Sequence, residues 1–347
     1  MRISTNTMYD VGSAGISQLQ SDLFKTNQHI GSKLRIMTPE DDPVGAARAL
    51  VVTQAQSVNE QFGVNRQNAQ STLNAEEGAL TSITTSLLGA QSTVVYAGNG
   101  ALTDTDRSTL ATELRGRYEE LLGLANTKDG TGNAVFAGYK TSSDAFAKVG
   151  TNITYQGDQG QRMLQVDTSR QMALSDTGNA VFGNNGSNTF KALDDIIKLL
   201  QTPKGTLNTT VSATSTDPAV STAYASAVAA NALAAATPGD AALAAAAATA
   251  TSAANAAAMT SASTALNKSF ENVVNVHTSV GIRLKELDSL DNSGADRDLQ
   301  YKTTLSQLQD LDLVKAYTDI TQQKATLDAA QLAYVKTTSL SLFDYIK

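Results

Sequence analysis

The stretch STLNAEEGALTSITTSLLGAQSTVV, residues 71–95, decides how this chain is read. Leu73, Leu80, Leu87 and Val94 recur every seven residues, and Ile83 and Ala90 fall three residues after two of them. That spacing draws one narrow apolar stripe along a helix, the seam of a coiled coil. The helical pattern starts after Pro43 and runs to about Ala97, which at 1.5 Å per residue is roughly 80 Å. A compact ball cannot cover such a stripe, so a second helix of similar length must. Gly63, Gly78 and Gly89 each cost the helix about 1 kcal/mol relative to Ala, and packing has to compensate.

Towards the N-terminus, Ile16, Leu19, Leu23 and Ile30 keep the same seam spacing, with Thr26 in a polar slot. Gly31-Ser32 and then Thr38-Pro39-Glu40-Asp41-Asp42-Pro43 break this first helix. The two prolines and two aspartates make a rigid turn, with the acids as capping groups for the long helix. After the long helix, Gly98-Asn99-Gly100 is a stop. A third helix begins near Asp104 with Thr103, Asp104 or Thr105 as cap, and Leu110, Leu114, Tyr118, Leu121 and Leu122 mark its face.

The period then changes to that of strands. Val135–Tyr139, Ile153–Gln156 and Met163–Asp167 read as strands, the last two joined as a hairpin through Gly157-Asp158-Gln159-Gly160. A short helix carries Phe190, Leu193, Ile196, Ile197 and Leu200. From Thr206 to Ser263 the composition shifts, and 24 of the 45 residues from Ser221 to Ala265 are Ala. We read a helical hairpin turning at Pro238-Gly239, with a flexible low-complexity loop as the alternative. Helix resumes with the seam Leu266, Phe270, Val273, His277, Val280, Leu284 and Leu287, and Asp291-Asn292-Ser293-Gly294 is expected to break it. A new stripe starts at Leu305 and Leu308 and shifts phase into Leu313, Ile320, Leu327 and Tyr334, with Ala316 and Ala330 beside it. The chain closes on Leu342, Phe343, Tyr345 and Ile346.

The expected fold is mainly α with a β-containing central domain. Long antiparallel helices from both chain ends form a coiled-coil-like rod, and the Ala-rich insertion 206–263 is helical. Three domains are expected: 1–43 with 300–347, a terminal helical domain that stays mobile until assembly; 44–132 with 265–299, the rod; and 133–264, facing outward. One monomer cannot cover all of the terminal stripe. The candidate assembly interface is therefore Ile16, Leu19, Leu23 and Ile30 with Leu313, Ile320, Leu327, Tyr334, Leu342, Phe343, Tyr345 and Ile346. Pro39, Asp41, Asp42 and Pro43 are the candidate interdomain turn.

Composition removes other classes. The net charge is −7 without a basic patch, so nucleic-acid binding is not expected. Cysteine is absent, which excludes disulfides and thiolate metal sites. The two histidines, His29 and His277, lie on separate helices and read as packed or surface imidazoles, with His277 able to hydrogen-bond across its seam. Glycines in the 130–132 and 157–160 turns lack the Lys-Ser/Thr pair of a phosphate loop. No catalytic, cofactor or metal constellation stands out, so the chain reads as a structural protein and not an enzyme. The Ala-rich stretch is a poor membrane span, broken as it is by Pro238-Gly239-Asp240. The opening Met1-Arg2-Ile3-Ser4-Thr5-Asn6 lacks the apolar run of a signal peptide, so any export is expected to proceed without a cleavable one.

Four pieces of sequence carry a resemblance. They are Met1–Thr5; Thr38–Ala47, which reads Thr-Pro-Glu-Asp-Asp-Pro-Val-Gly-Ala-Ala; Asn133–Thr141 with Tyr155–Gly160; and Ser279–Leu284 with the closing Leu340–Ile346. Together they resemble the flagellin-like hook-associated family, over residues 1–183 and 265–347 and poorly over the Ala-rich part. The resemblance implies a non-catalytic subunit of the bacterial flagellum that adapts hook-side proteins to the flagellin filament. Its implied partners are other hook-associated proteins, flagellin, its own neighbouring copies, a cytoplasmic export chaperone and the flagellar type III export apparatus. The implied location is extracellular, at the hook–filament junction, with no cofactor. Filament flagellin is the alternative within the family, and a secreted coiled-coil stalk or adhesin the alternative outside it.

Overall fold

The computed structural model describes residues 5–150, 152–183 and 189–339. In chain order the elements are α1 (Thr5–Ser32), α2 (Pro43–Ala97), α3 (Asp104–Ala125), β1 (Phe146–Val149), β2 (Asn152–Tyr155), β3 (Met163–Asp167) and β4 (Arg170–Ala173). Then come α4 (Gly178–Phe182), α5 (Thr189–Gln201), α6 (Thr209–Thr214), α7 (Pro218–Ala236), α8 (Ala241–Gln309) and α9 (Leu313–Ser339). The chain is mainly helical with a β-containing central part, as its patterning implies. It divides into two compact units, one of Met1–Gln61 with Asn292–Lys347, the other Phe62–Asp291.

In the second unit the heptad of α2 is the spine of the core. Leu73, Leu80, Ile83, Leu87 and Ala90 are each 0% exposed, and Leu266, Val273, Val280 and Leu287 of α8 are buried in the same cluster. The α3 helix starts on a reciprocal cap in which the Thr103 hydroxyl accepts from the Asp106 N–H and the Asp106 carboxylate accepts from the Thr103 N–H. It buries Leu114, Tyr118 and Leu121 and packs on α5. Phe146, Phe182 and Phe190 stack within 5.1–5.4 Å of one another, with Tyr118, Phe136 and Tyr155 at the edges. Such ring pairs add to simple burial of area.

Three expectations are corrected here. Val135–Tyr139 is a turn, buried up to Gly138 and exposed at Tyr139, and not a strand. The Val135 and Ala134 N–H groups bond to Thr127 and Thr141, the Phe136 carbonyl accepts from Gly178 N–H and Tyr155 Oη, and Gly138 has φ +71°. Four consecutive buried residues, Ala134–Ala137, have no strand-like alternation of faces. Gly157–Gly160 does not join a hairpin either. β2 pairs antiparallel with β1 and β3 with β4, giving two separate two-stranded ribbons. The Asp158 carboxylate instead takes the N–H groups of Tyr139 and Gly160, so this loop is spent on holding the 138–139 turn.

The third correction concerns the helix break. α8 runs unbroken through Asp291–Gly294, and the break falls at Asp310–Asp312. A lone glycine costs a helix only about 1 kcal/mol. Arg66 of α2 pairs with Asp291, and Asn59 Nδ2 donates to the Gly294 carbonyl at 2.9 Å, so both flanks of that step are held.

The Ala-rich region forms the helical hairpin of α7 and the start of α8, turning through Thr237–Asp240 with φ +101° at Gly239. Ala227, Ala247, Ala254 and Ala258 are buried, and Asn231 Nδ2 donates to Thr251 Oγ1 at 2.9 Å. α7 and α8 are also long and apolar enough to cross a membrane by length and composition.

Candidate assembly interface

In the first unit α1 packs antiparallel on α9. Ile16, Leu19, Leu23 and Ile30 of α1 are each half-buried. On α9, Leu327 is buried (8% exposed), Ile320 and Tyr334 are half-buried, and Leu313 is exposed at the start of the helix. The companion position is Ala316, buried, and Ala330, half-buried. Tyr334 lies edge-on to Tyr9 with ring centroids 6.2 Å apart. Gly12 permits this approach, since a Cβ there would sit 2.7 Å from the Tyr334 ring. The nominated stripes are thus brought together within one chain. Leu342, Phe343, Tyr345 and Ile346 lie outside the described residues.

The two helix breaks at the other end of this pair are built as one joint. Lys33 takes the left-handed conformation at φ 61°, just after α1, where glycine is usual. Its carbonyl accepts the Leu311 N–H at 3.0 Å, and Arg35 N–H donates to the Gln309 carbonyl at 2.6 Å. The Arg35 guanidinium donates to the Leu308 carbonyl at 2.7 Å, at the C-terminal end of α8, and pairs with Asp42 at 3.3 Å. A cation at a helix C-terminus is favourably placed for the helix dipole.

Asp42 caps α2 by accepting the Gly45 N–H at 2.8 Å, and Pro43 occupies the first helical position. Gly45 leaves room for Ile36, since a Cβ there would lie 2.5 Å from its Cδ1. Asp41 Oδ2 gathers the Met37 and Thr38 N–H groups at 3.0 and 2.9 Å, and its other oxygen faces His29 at 3.8 Å. The Thr38 and then the Met37 N–H hold the Asp41 carboxyl below its ordinary value, and the Gly45 N–H does the same for Asp42. Pro39 is exposed within this turn. On α9 the matching cap is Asp312, which accepts the Lys315 N–H at 3.1 Å. These carboxylates are committed to backbone donors, which makes them structural groups. The other histidine, His277 of α8, is half-buried and 3.8 Å from Glu77 of α2.

The face of α9 turned away from α1 was not nominated from the sequence. Val314 (80% exposed), Tyr317, Leu332 and Val335 are large apolar side chains left open there, and Val314, Tyr317, Thr321 and Ala325 line a shallow groove. Residues 314, 318, 321, 325, 328, 332 and 335 keep a seam spacing of their own, but Thr318, Thr321, Ala325 and Asp328 dilute it.

The family description "Bacterial flagellin N-terminal helical region" matches residues 3–141. The flagellar hook-associated protein 3 of Salmonella typhimurium is 33% identical over 349 residues, 99% of each chain, and that of Escherichia coli 33% identical over 353 residues and the whole of both. The chain belongs to the flagellar hook-associated protein 3 family. A solved structure, the flagellar junction protein FlgL from Legionella pneumophila, superposes with a TM-score of 0.53 at 19% identity, covering 76% of this chain and all of that one. The alignments with both hook-associated protein 3 relatives span essentially the whole chain.

Proposed function

We propose that this chain is a structural subunit of the bacterial flagellum, an adaptor between hook-side proteins and the flagellin filament. The end-to-end match with two hook-associated protein 3 relatives carries the reading. The first unit supplies a physical basis. Both chain ends meet in one helix pair, so subunit contacts made there depend on both termini. Its outer face, Val314, Tyr317, Leu332 and Val335 on α9 with Val11 and Phe24 on α1, is apolar and open. Neighbouring copies, other hook-associated proteins and flagellin are the partners we assign to it. In a tube, a patch of this kind meets a different patch on the next copy. The stripes Ile16–Ile30 and Leu313–Tyr334 then act by building the pair that displays this face.

The finer reading has four parts. The 1–43 with 300–347, 44–132 with 265–299, and 133–264 segments serve as terminal, rod and outward domains. The turn at Pro39, Asp41, Asp42 and Pro43 sets the angle at which α1 leaves α2. The protein works outside the cell after export by the flagellar type III apparatus, handed over by a cytoplasmic chaperone. It performs no catalysis, takes no cofactor, and inserts into no membrane, the Ala-rich helices being committed to each other through Asn231 and Thr251.

Immunogold labelling of isolated flagella tests the assignment. A single band of label where hook meets filament is expected. Label along the whole filament would favour the filament-subunit reading, and label on cells but not on flagella the stalk or adhesin.

A further inference from the structure

The core of the second unit holds one acid that apolar packing does not explain. Glu76 lies on α2 between Leu73 and Leu80 and is 0% exposed. One carboxyl oxygen accepts the Asp176 N–H at 2.9 Å, and Oε2 has no hydrogen-bond partner. Arg283 of α8 is committed elsewhere: it pairs with the Asp176 carboxylate and donates to the Ala173 carbonyl at 3.0 Å. Gln161 Nε2 donates to the other Asp176 oxygen at 3.1 Å. Arg162, just before β3, buries Nε and Nη2 without a partner, and its charge acts on Asp129 as well as on Glu76. Nearby, Glu77 of α2 lies 3.8 Å from His277 of α8, and Arg170 of β4 pairs with Glu286 of α8 at 2.5 Å.

Neither Arg162 nor Arg283 donates a hydrogen bond to Glu76. An ionised carboxylate buried without a cation partner is among the costliest groups in a protein interior, and the usual escape is to take up a proton. Burial first, and the Asp176 charge second, push the Glu76 carboxyl up to about 8. The Asp176 N–H joins the 161–176 segment to α2 at this carboxyl, which is itself fully buried.

We propose that Glu76 is a proton-operated clasp: neutral, it lets the 161–176 segment close on α2 and α8, and ionised, it loosens that closure. Proton linkage sets the sign. The closed form holds a proton that the open form has lost at any pH between the two values. Closure is therefore complete below the ordinary glutamate value, weakens steadily above it, and stops weakening once pH passes the closed-state value near 8. One proton corresponds to about a tenfold rise in the opening constant per pH unit.

The test uses the full chain. Carbon NMR of the side-chain carboxyls, with the Glu76 resonance assigned by its loss in Glu76→Gln, gives the titration midpoint directly. Amide protection over β3, β4 and Asp176, corrected for intrinsic exchange, gives the opening constant from pH 6 to 8. We expect a midpoint near 8 and a roughly tenfold rise in opening per pH unit that is absent in Glu76→Gln. A midpoint between about 4 and 5, which Arg162 would produce by swinging into a direct pair, overturns the proposal. So does the same pH dependence in Glu76→Gln. Should that variant fail to fold, selective labelling and the midpoint in the unmodified protein still decide.

Discussion

Replacing Leu327 by Ala should loosen the pair formed by the two chain ends while leaving the heptad core intact. Leu327 is the one large side chain nominated in the terminal stripe of α9 that is buried among the described residues, at 8% exposed. Burying and then deleting such a side chain costs about 2–5 kcal/mol. The facing stripe of α1, with Ile16, Leu19 and Leu23, is only half-buried, so water can reach the cavity, and the lower end, about 2 kcal/mol, applies. That is on the order of a thirtyfold increase in opening of the α1–α9 pair. Leu332, on the opposite face and 64% exposed, is the control, with an expected change within about 0.5 kcal/mol. Hydrogen exchange read by mass spectrometry separates the two, because peptides from α1 and α9 report the pair and peptides from 71–95 report the core of the second unit. Unchanged protection of α1 in Leu327→Ala, or an equal loss in Leu332→Ala, would show that the pair is not held by this seam.

Removing the cap with Asp42→Ala should destabilise the start of α2, seen as faster exchange in its first turn. Because backbone donors hold Asp41 and Asp42 below their ordinary values, the joint keeps its full stability above the unfolded carboxylate value and loses it as pH falls through the lower folded values. An acid titration monitored by exchange in residues 35–46 checks the direction, and a joint that strengthens on acidification contradicts it. Phe182→Ala, which empties the centre of the ring cluster, should destabilise the second unit by about 3–5 kcal/mol, measured as a fall in its thermal midpoint. Val314→Asp on the open face should leave thermal stability nearly unchanged and block incorporation into flagella. Normal incorporation would remove that face from the assembly contacts.

The heptad of α2 was legible because its spacing of seven is unbroken from Leu73 to Val94 and every member is buried. The α3 cap was legible to within three residues, Thr103, Asp104 or Thr105, and the returning bond from the Asp106 carboxylate singles out Thr103. The ribbons were half-legible. β2 and β3 carry recognisable strand residues, but β1 and β4 are four residues each and have little alternation to detect. Pairing was misassigned because Gly157–Gly160 has hairpin composition, while the carboxylate of Asp158 is spent on Tyr139, nineteen residues away, a tertiary commitment that no local pattern displays. At the C-terminal break the signal was present. Asp310-Leu311-Asp312 precedes Leu313 with an aspartate in capping position, whereas Asp291–Gly294 has turn composition but is held helical by Arg66 and Asn59 from α2. The stripes of α1 and α9 were visible in sequence, and their mutual pairing is dictated by length and spacing. The open face of α9 was hidden because Thr318, Thr321 and Asp328 interrupt its apolar residues.

Electron microscopy of flagella from cells lacking only this gene tests the central claim most directly. The account predicts complete hooks without attached filaments, flagellin shed into the medium, and restoration of both by the intact gene. Hooks still carrying normal filaments would contradict it.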